Sequence, residues 1–204
     1  MYSQYDEEKY ILESCREIDK GRFLDIGAWN AKTFSNTRAL YELGWSGVMV
    51  EPSPEAMISR QPDGTISGLI AEYGNDPQIT LVQALVDEIP GLKKLAVTAD
   101  SVSTTVYAHY EKWKTKGGYY GQIVVPAVSL FDLETEFGDF DFVSIDAEGM
   151  SAHLFFVLLH PKRNKVPQCI CVEYDDRLEE LSHHAALYSY RLVYSNGTNA
   201  VFSR

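Results

Sequence analysis

Between Tyr5 and Asp19 the apolar residues Tyr10, Ile11, Cys15 and Ile18 recur at helical intervals, and Lys20-Gly21 stops the pattern. The spacing predicts a leading helix within residues 1–20. Arg22 to Gly27 is a short apolar run that reads as a buried strand, and the helix after it passes through Leu40 and Leu43 before Gly44 closes it. Ser46 to Glu51 is a second strand. Ser53-Pro54-Glu55 then offers an N-cap, a proline at the first helical position and an early acidic residue, which predicts a short helix towards Arg60. Strand, helix and strand in this order form a crossover unit, so parallel strands with helices on the sheet faces are expected.

The alternation continues. Ile66 to Tyr73 reads as helix, Ile79 to Val86 as a strand and Leu92 to Thr98 as another, with a helix expected around Val106 to Lys114. Ile123 to Val128 is extended, Leu130 to Phe137 helical, and Phe140 to Asp146 a buried strand that ends in carboxylates. Ser151 to Leu159 is again helical, Cys169 to Tyr174 a strand, and Arg177 to Leu187 a helix with an acidic first turn. The end of the chain differs. Tyr190 to Tyr194 and Ala200 to Ser203 flank Ser-Asn-Gly-Thr-Asn, a turn cluster that favours an antiparallel hairpin. The same turn explains Asn196-Gly197-Thr198, which also spells a glycosylation sequon. The prediction is one α/β domain over residues 1–204, with a mostly parallel sheet closing in an antiparallel hairpin.

Composition narrows the setting. Of 204 residues, 45% are hydrophobic and 23% charged, which fits a folded chain and excludes disordered or fibrous architectures. The longest apolar run, Leu154 to Leu159, is far short of the roughly 20 residues that cross a bilayer, so no membrane partner is expected. Met1 to Lys9 carries Asp6, Glu7 and Glu8 and lacks the apolar core of a secretory signal, which points to the cytoplasm. A net charge of -11 repels phosphate backbones and argues against nucleic acid. The lysines around Trp113 read more simply as an amphipathic helix end than as a base-stacking platform. Cys15, Cys169 and Cys171 provide neither an even disulfide set nor a zinc ligand set, so reduced, buried thiols and no metal are expected.

Candidate chemistry gathers where strands end. Phe23-Leu24-Asp25-Ile26-Gly27-Ala28-Trp29-Asn30-Ala31 leaves a strand through small residues, and Gly27 lets a ligand approach the backbone. Asp25 adds a negative charge that suits a cationic group and repels a pyrophosphate, which favours S-adenosylmethionine over NAD. The dinucleotide fingerprint G-x-G-x-x-G keeps only Gly27 here. Glu51, followed by Pro52, ends the second strand where a carboxylate accepts both hydroxyls of a ribose; alone it is equally well a surface charge. Phe142 to Gly149 delivers Asp146 and Glu148 to the same sheet edge, in place to orient an acceptor, deprotonate a hydroxyl or hold a divalent cation, with helix capping as the plainer alternative. Glu173, Asp175 and Asp176 end the next strand and extend a carboxylate cluster, or are solvated strand-end charges.

Taken in order, Phe23 to Asn36, Val50 to Pro54, Ser101 to Thr105, Val124 to Leu133 and Phe142 to Gly149 resemble the FkbM family of methyltransferases. The resemblance implies a Rossmann-like class I methyltransferase fold, with seven strands, a final antiparallel hairpin and helices on both faces. It also implies binding of S-adenosylmethionine and methylation of a hydroxyl oxygen. Asp25, Gly27, Ala28 and Asn30 fall in its cofactor loop, Glu51 and Pro52 at its ribose site, and Asp146 with Glu148 in its acidic strand-end motif. Ser103 is a further cofactor contact, or part of a loop capping the next helix. Ala31, Ser144 and Ser151 stand where the family often has a glycine, a lysine and an acidic residue. Because of these changes a catalytically silent cofactor-binding or interaction module is the alternative, and an NAD-dependent oxidoreductase a more distant one. The family's frequent acceptors point to a sugar or other small molecule, with Tyr119 and Tyr120 as cleft or packing residues. Oligomeric state is left open by the sequence.

Overall fold

The computed structural model describes residues 1–53, 65–98, 111, 119–161 and 165–204, with Thr98, Tyr119 and Tyr120 described by backbone alone. The helices expected towards Arg60 and over 106–114 fall outside these residues except at Ser53 and Glu111. So do Trp113, the Ser101 to Thr105 segment with Ser103, and the side chains of Tyr119 and Tyr120.

The strands of the main sheet are β1 (Arg22–Ile26), β2 (Ser46–Val50), β3 (Ile79–Val82), β7 (Phe142–Ile145), β8 (Cys169–Glu173), β9 (Arg191–Ser195) and β10 (Asn199–Ser203). They lie in the order β3-β2-β1-β7-β8-β10-β9. Neighbours from β3 to β8 run parallel, and β10 is antiparallel to both β8 and β9. This is the mostly parallel seven-stranded sheet with helices on both faces expected from the sequence, antiparallel hairpin included. The parallel strands are buried on both faces, as their near-continuous apolar sequences require. Period-two alternation divides them. Leu24, Ile26, Val48, Val50, Val143, Ile145, Ile170, Val172, Ala200 and Phe202 face one core. Phe23, Met49, Phe142, Cys169, Cys171 and Val201 face the other.

Helices α1 (Glu7–Cys15), α2 (Arg38–Glu42) and α3 (Ile66–Tyr73) contribute Ile11, Leu40 and Leu69 to the second core. Helices α4 (Leu130–Phe137), α5 (Ser151–Leu158) and α6 (Leu178–Leu187) contribute Leu133, Phe155 and Leu181 to the first. The leading helix is shorter than the expected Tyr5 to Asp19, because Ile18 N already turns back to Cys15 O at 2.9 Å. The helix α4 has the expected bounds. A reciprocal capping box fixes its start: Ser129 Oγ accepts from Asp132 N at 3.0 Å and Asp132 Oδ2 accepts from Ser129 N at 2.8 Å.

One expectation is corrected. Ile79 to Val86 is not a single strand, because Ala84 N bonds back to Val82 O at 3.1 Å and breaks the run. Its first part is β3; its second, β4 (Leu85–Val86), joins a separate three-stranded sheet with β5 (Gly91–Thr98) and β6 (Tyr119–Val128). There β6 is parallel to β4 and antiparallel to β5. Leu85, Leu95, Val125 and Ala127 cover one face of this sheet, while Leu92 and Val124 stay exposed.

The three cysteines are buried and unbridged, with Cys169 and Cys171 on the same face of β8 as expected. Among the described residues no helix is long and apolar enough to cross a membrane.

Phe202 is fully buried and packs its ring 5.2 Å from that of Phe155, joining the hairpin to α5. Phe202→Ala should therefore cost about 3 to 5 kcal/mol in denaturant-induced unfolding. A loss below about 1 kcal/mol would show that the hairpin is not part of the cooperative core.

Candidate functional site at the carboxyl edge of the sheet

The site begins with a close approach of two loops. Gly27 follows β1 with φ +77, and a Cβ at this position would collide with the carbonyl oxygen of Asp146. Asp146 N donates to Ile26 O at 2.9 Å, and Gly27 N donates to Val50 O at 2.9 Å. The ends of β1, β2 and β7 are therefore clamped flush through main-chain contacts. Glycine alone satisfies both the left-handed turn and the lack of space.

On this frame the alternation that puts Phe23, Met49, Phe142 and Cys171 on one face carries Asp25, Glu51, Asp146 and Glu173 to that same face. Asp25 is buried. Its Oδ2 accepts from Thr37 Oγ1 at 2.6 Å, and it pairs in register with Ser144. Burial pushes its pKa up to about 6 against the opposing pull of the Thr37 and Ser144 hydroxyls. Glu51 is buried too, and loss of hydration likewise raises its pKa. Its two oxygens hold the loop backbone: Oε2 accepts from Trp29 N at 3.0 Å and Oε1 from Ser53 N at 2.8 Å. The Ser53 side chain bonds to it as well, and since a carboxylate offers about four acceptor positions, Glu51 keeps room for a further hydroxyl donor.

The loop from Ala28 to Thr37 is tied at several points. Asn30 Oδ1 accepts from Lys32 N at 2.9 Å and Thr33 N at 2.8 Å, so its side-chain carbonyl closes its own turn. Tyr73 Oη donates to Ala31 O at 3.1 Å, and Asn36 Nδ2 donates to Ser144 Oγ at 3.2 Å. Trp29 and Phe34 stack with ring centroids 5.9 Å apart, both on left-handed backbone.

Asp146 is exposed at the sheet edge and lies among carboxylates: its side chain meets that of Glu173 in a hydrogen bond, and the charges of Glu148, Asp25 and Asp175 raise its pKa. Glu173, half-buried beside it, is raised by lost hydration and then by Asp146. Glu148, Asp175 and Asp176 have φ of 40, 45 and 61, so the loops after β7 and β8 carry the same kind of strain as Trp29, at 43. Among the described residues no ion pair reaches Asp25, Glu51, Asp146, Glu173 or Asp175. No group of three or more His, Cys, Asp or Glu among them is arranged to hold a metal ion. The edge is a concentrated negative field suited to a cationic ligand.

A sequence model of the family described as the methyltransferase FkbM domain matches residues 25–191, most of the chain and all of these strand ends. The chain belongs to the FkbM methyltransferase family. A crystal structure described as methyltransferase FkbM from Methylobacillus flagellatus KT shares the fold, with a TM-score of 0.50 at 11% sequence identity. The match covers 91% of this chain and 44% of that one, so this chain spans less than half the length of that protein. No curated protein matches the sequence.

Within this FkbM chain, Asp25, Gly27, Ala28, Glu51, Pro52, Asp146 and Glu148 converge at one edge of the sheet, and Ser103 falls outside the described residues. Residues whose part the sequence did not reveal hold the site together. Thr37 braces Asp25, and Ser144, noted in the sequence only as a departure from the family pattern, pairs beside it as a neutral hydroxyl. Ser151 is fully buried and its Oγ accepts from Ala147 N at 2.9 Å, bracing the turn that carries Glu148. Asn36 and Thr37 follow the glycine by about ten residues. Only their position in the long β1–α2 loop marks them.

A buried carboxylate without a cation opposes folding once ionised. With a native pKa of about 6 above an unfolded value of about 3.9, the stabilising contribution of Asp25 is complete below the unfolded value and is lost as pH rises through the native one. Asp25→Asn keeps an oxygen for Thr37 and removes the charge. The variant should be more stable than the parent by roughly 1 to 3 kcal/mol at pH 7.5 in urea unfolding, with the gap closing towards pH 4. An equally stable variant at pH 7.5 contradicts the assignment.

Proposed function

We propose that this FkbM methyltransferase uses S-adenosylmethionine and methylates a hydroxyl oxygen of a sugar or another small molecule. The observation that carries the reading is the placement of Asp25, Glu51 and Asp146 on one face of the sheet edge around Gly27, with no cation among the described residues to neutralise them. The donor set fits the cofactor. Glu51 keeps acceptor capacity for a ribose hydroxyl beside its Trp29 and Ser53 donors, and the acidic field complements a sulfonium and an ammonium group. S-adenosylmethionine supplies an electrophilic methyl group on a positively charged sulfur. The protein's part is to hold the acceptor hydroxyl in line with that methyl and to accept its proton. Positioning of this kind supplies much of the rate.

Asp146 is our choice for the base. The neighbouring carboxylates Glu148, Asp25 and Asp175 raise its proton affinity from that of an ordinary aspartate towards the neutral range, where general bases work best. Glu148, one left-handed residue further on, borders the acceptor. A cytoplasmic setting is part of the proposal and agrees with three buried, unbridged cysteines.

Calorimetry tests the cofactor. The purified protein should bind S-adenosylmethionine and S-adenosylhomocysteine, and Glu51→Ala should weaken binding by about 1 to 3 kcal/mol while the protein stays folded. Equal affinity in the variant, or preferential binding of NAD, overturns the cofactor assignment.

The acceptor half is tested by a screen of hydroxyl compounds followed by Asp146→Asn. Methyl transfer should fall by roughly 10²-fold or more while S-adenosylhomocysteine binding is retained. Transfer at the parental rate removes Asp146 from the catalytic role and leaves the cofactor assignment standing.

A further inference from the structure

The strands β7 and β8 run parallel with Ile145 opposite Val172, so Asp146 and Glu173 are the next residues on adjacent strands and share one face. Nothing donates to the inner oxygen of Glu173. Its Oε2 is buried and meets no hydrogen-bond donor, as is true of Asp175 Oδ2. On the far side of Glu173, β10 places Asn199 in register, but the Asn199 amide donates instead to Glu7 Oε1 at 2.9 Å. The groups facing the two carboxyls are Asp25 from β1, Glu148 from the loop after β7 and Asp175 from the loop after β8. The Cys171 thiol, within the fields of Asp146 and Asp25, also feels Glu7 from α1. Among the described residues these groups are acidic or neutral. Two carboxyls side by side in such surroundings cannot both stay ionised without a cation.

We propose that Asp146 and Glu173 act as one proton-holding pair, which releases its proton when a positively charged ligand enters the site and takes a proton back when that ligand becomes neutral. This rests on the methyltransferase reading above. The hydrogen bond between the two side chains, the buried and unpartnered Glu173 Oε2 and the repulsion between the two charges keep one proton on the pair at neutral pH in the free protein. A sulfonium nearby reverses the balance, because the ionised pair then has a counter-charge. The pair receives the proton of the acceptor's O–H bond as the O–CH3 bond forms and the electrons of the S–CH3 bond return to sulfur. A positive sulfur beside a doubly negative pair becomes a neutral thioether beside a pair that holds one proton and a single negative charge, and the charge of the site does not change. Glu173 is thus a positioning residue: it sets the proton affinity of Asp146, which meets the acceptor.

The two states can be read without turnover. S-adenosylmethionine and S-adenosylhomocysteine differ at sulfur by a methyl group and one positive charge. Calorimetric titrations at pH 7 in buffers of low and high ionisation enthalpy count the protons released by each. The unmodified protein should release roughly 0.5 to 1 proton more with the sulfonium ligand than with the thioether. Glu173→Gln, close in shape, should bring that difference below about 0.2 proton while both ligands still bind. Equal proton release for the two ligands in the unmodified protein, or an undiminished difference in Glu173→Gln, overturns the pair and leaves the proposed function in place. Failure of the unmodified protein to bind either ligand overturns both.

Discussion

The structure depends on the close approach of Gly27 to the main chain of Asp146. There is no room for a side chain between them, and the left-handed turn at Gly27 sends the chain over the sheet edge instead of onward as strand. This contact sets the depth at which β1 and β7 end relative to each other. With Gly27 N also bonded to Val50 O, it fixes β2 as well. The three central strands therefore finish level, and the residue types at their ends decide what the edge can do.

Those ends are carboxylates, and alternation turns them to one face. Burial and mutual repulsion oppose their ionisation, and the loops that carry them hold Trp29, Glu148, Asp175 and Asp176 in left-handed backbone at a cost of about 1 kcal/mol or more each. An edge of this kind is less stable than an apolar one would be. It is stiff, since Thr37, Asn36, Tyr73 and Ser151 each brace a loop through a hydrogen bond to a different strand end or turn. Strain and unpaired charge concentrated where three braced loops meet is the pattern of a prepared ligand site.

Much of this was legible in the sequence. Apolar runs of strand length alternating with helical periodicity identified the parallel sheet, and Ser-Asn-Gly-Thr-Asn identified the hairpin, because both signals are local. The bounds of α4, Leu130 to Phe137, were read to the residue for the same reason, and the structure shows the capping box of Ser129 and Asp132 that fixes its start. The second sheet was not legible. Leu85-Val86 is apolar whichever strand it pairs with, and its partner β6 lies over thirty residues away, so periodicity could not show that the run after Ile79 changes sheets. Asp25, Glu51 and Asp146 were visible as strand-end acids beside glycine or proline. Thr37 was not, and Ser144 and Ser151 stood out only as departures from the family pattern, since a hydroxyl gains its meaning only from the partner that the fold brings to it.

Glu7 illustrates a different reach. Fully buried at the start of α1, it accepts from Asn196 Nδ2 at 2.7 Å and Asn199 Nδ2 at 2.9 Å, joining residues 189 and 192 positions apart in the chain. A buried carboxylate needs its donors: Tyr5 N supplies one locally at 2.8 Å, and the others come from the distant hairpin turn. During synthesis the acid of α1 is therefore incompletely satisfied until that turn has left the ribosome. The strand β10 lies between β8 and β9, so assembly of this part of the sheet and docking of α1 finish in one long-range step. Closure of the hairpin is in this sense the event that locks the first helix in place.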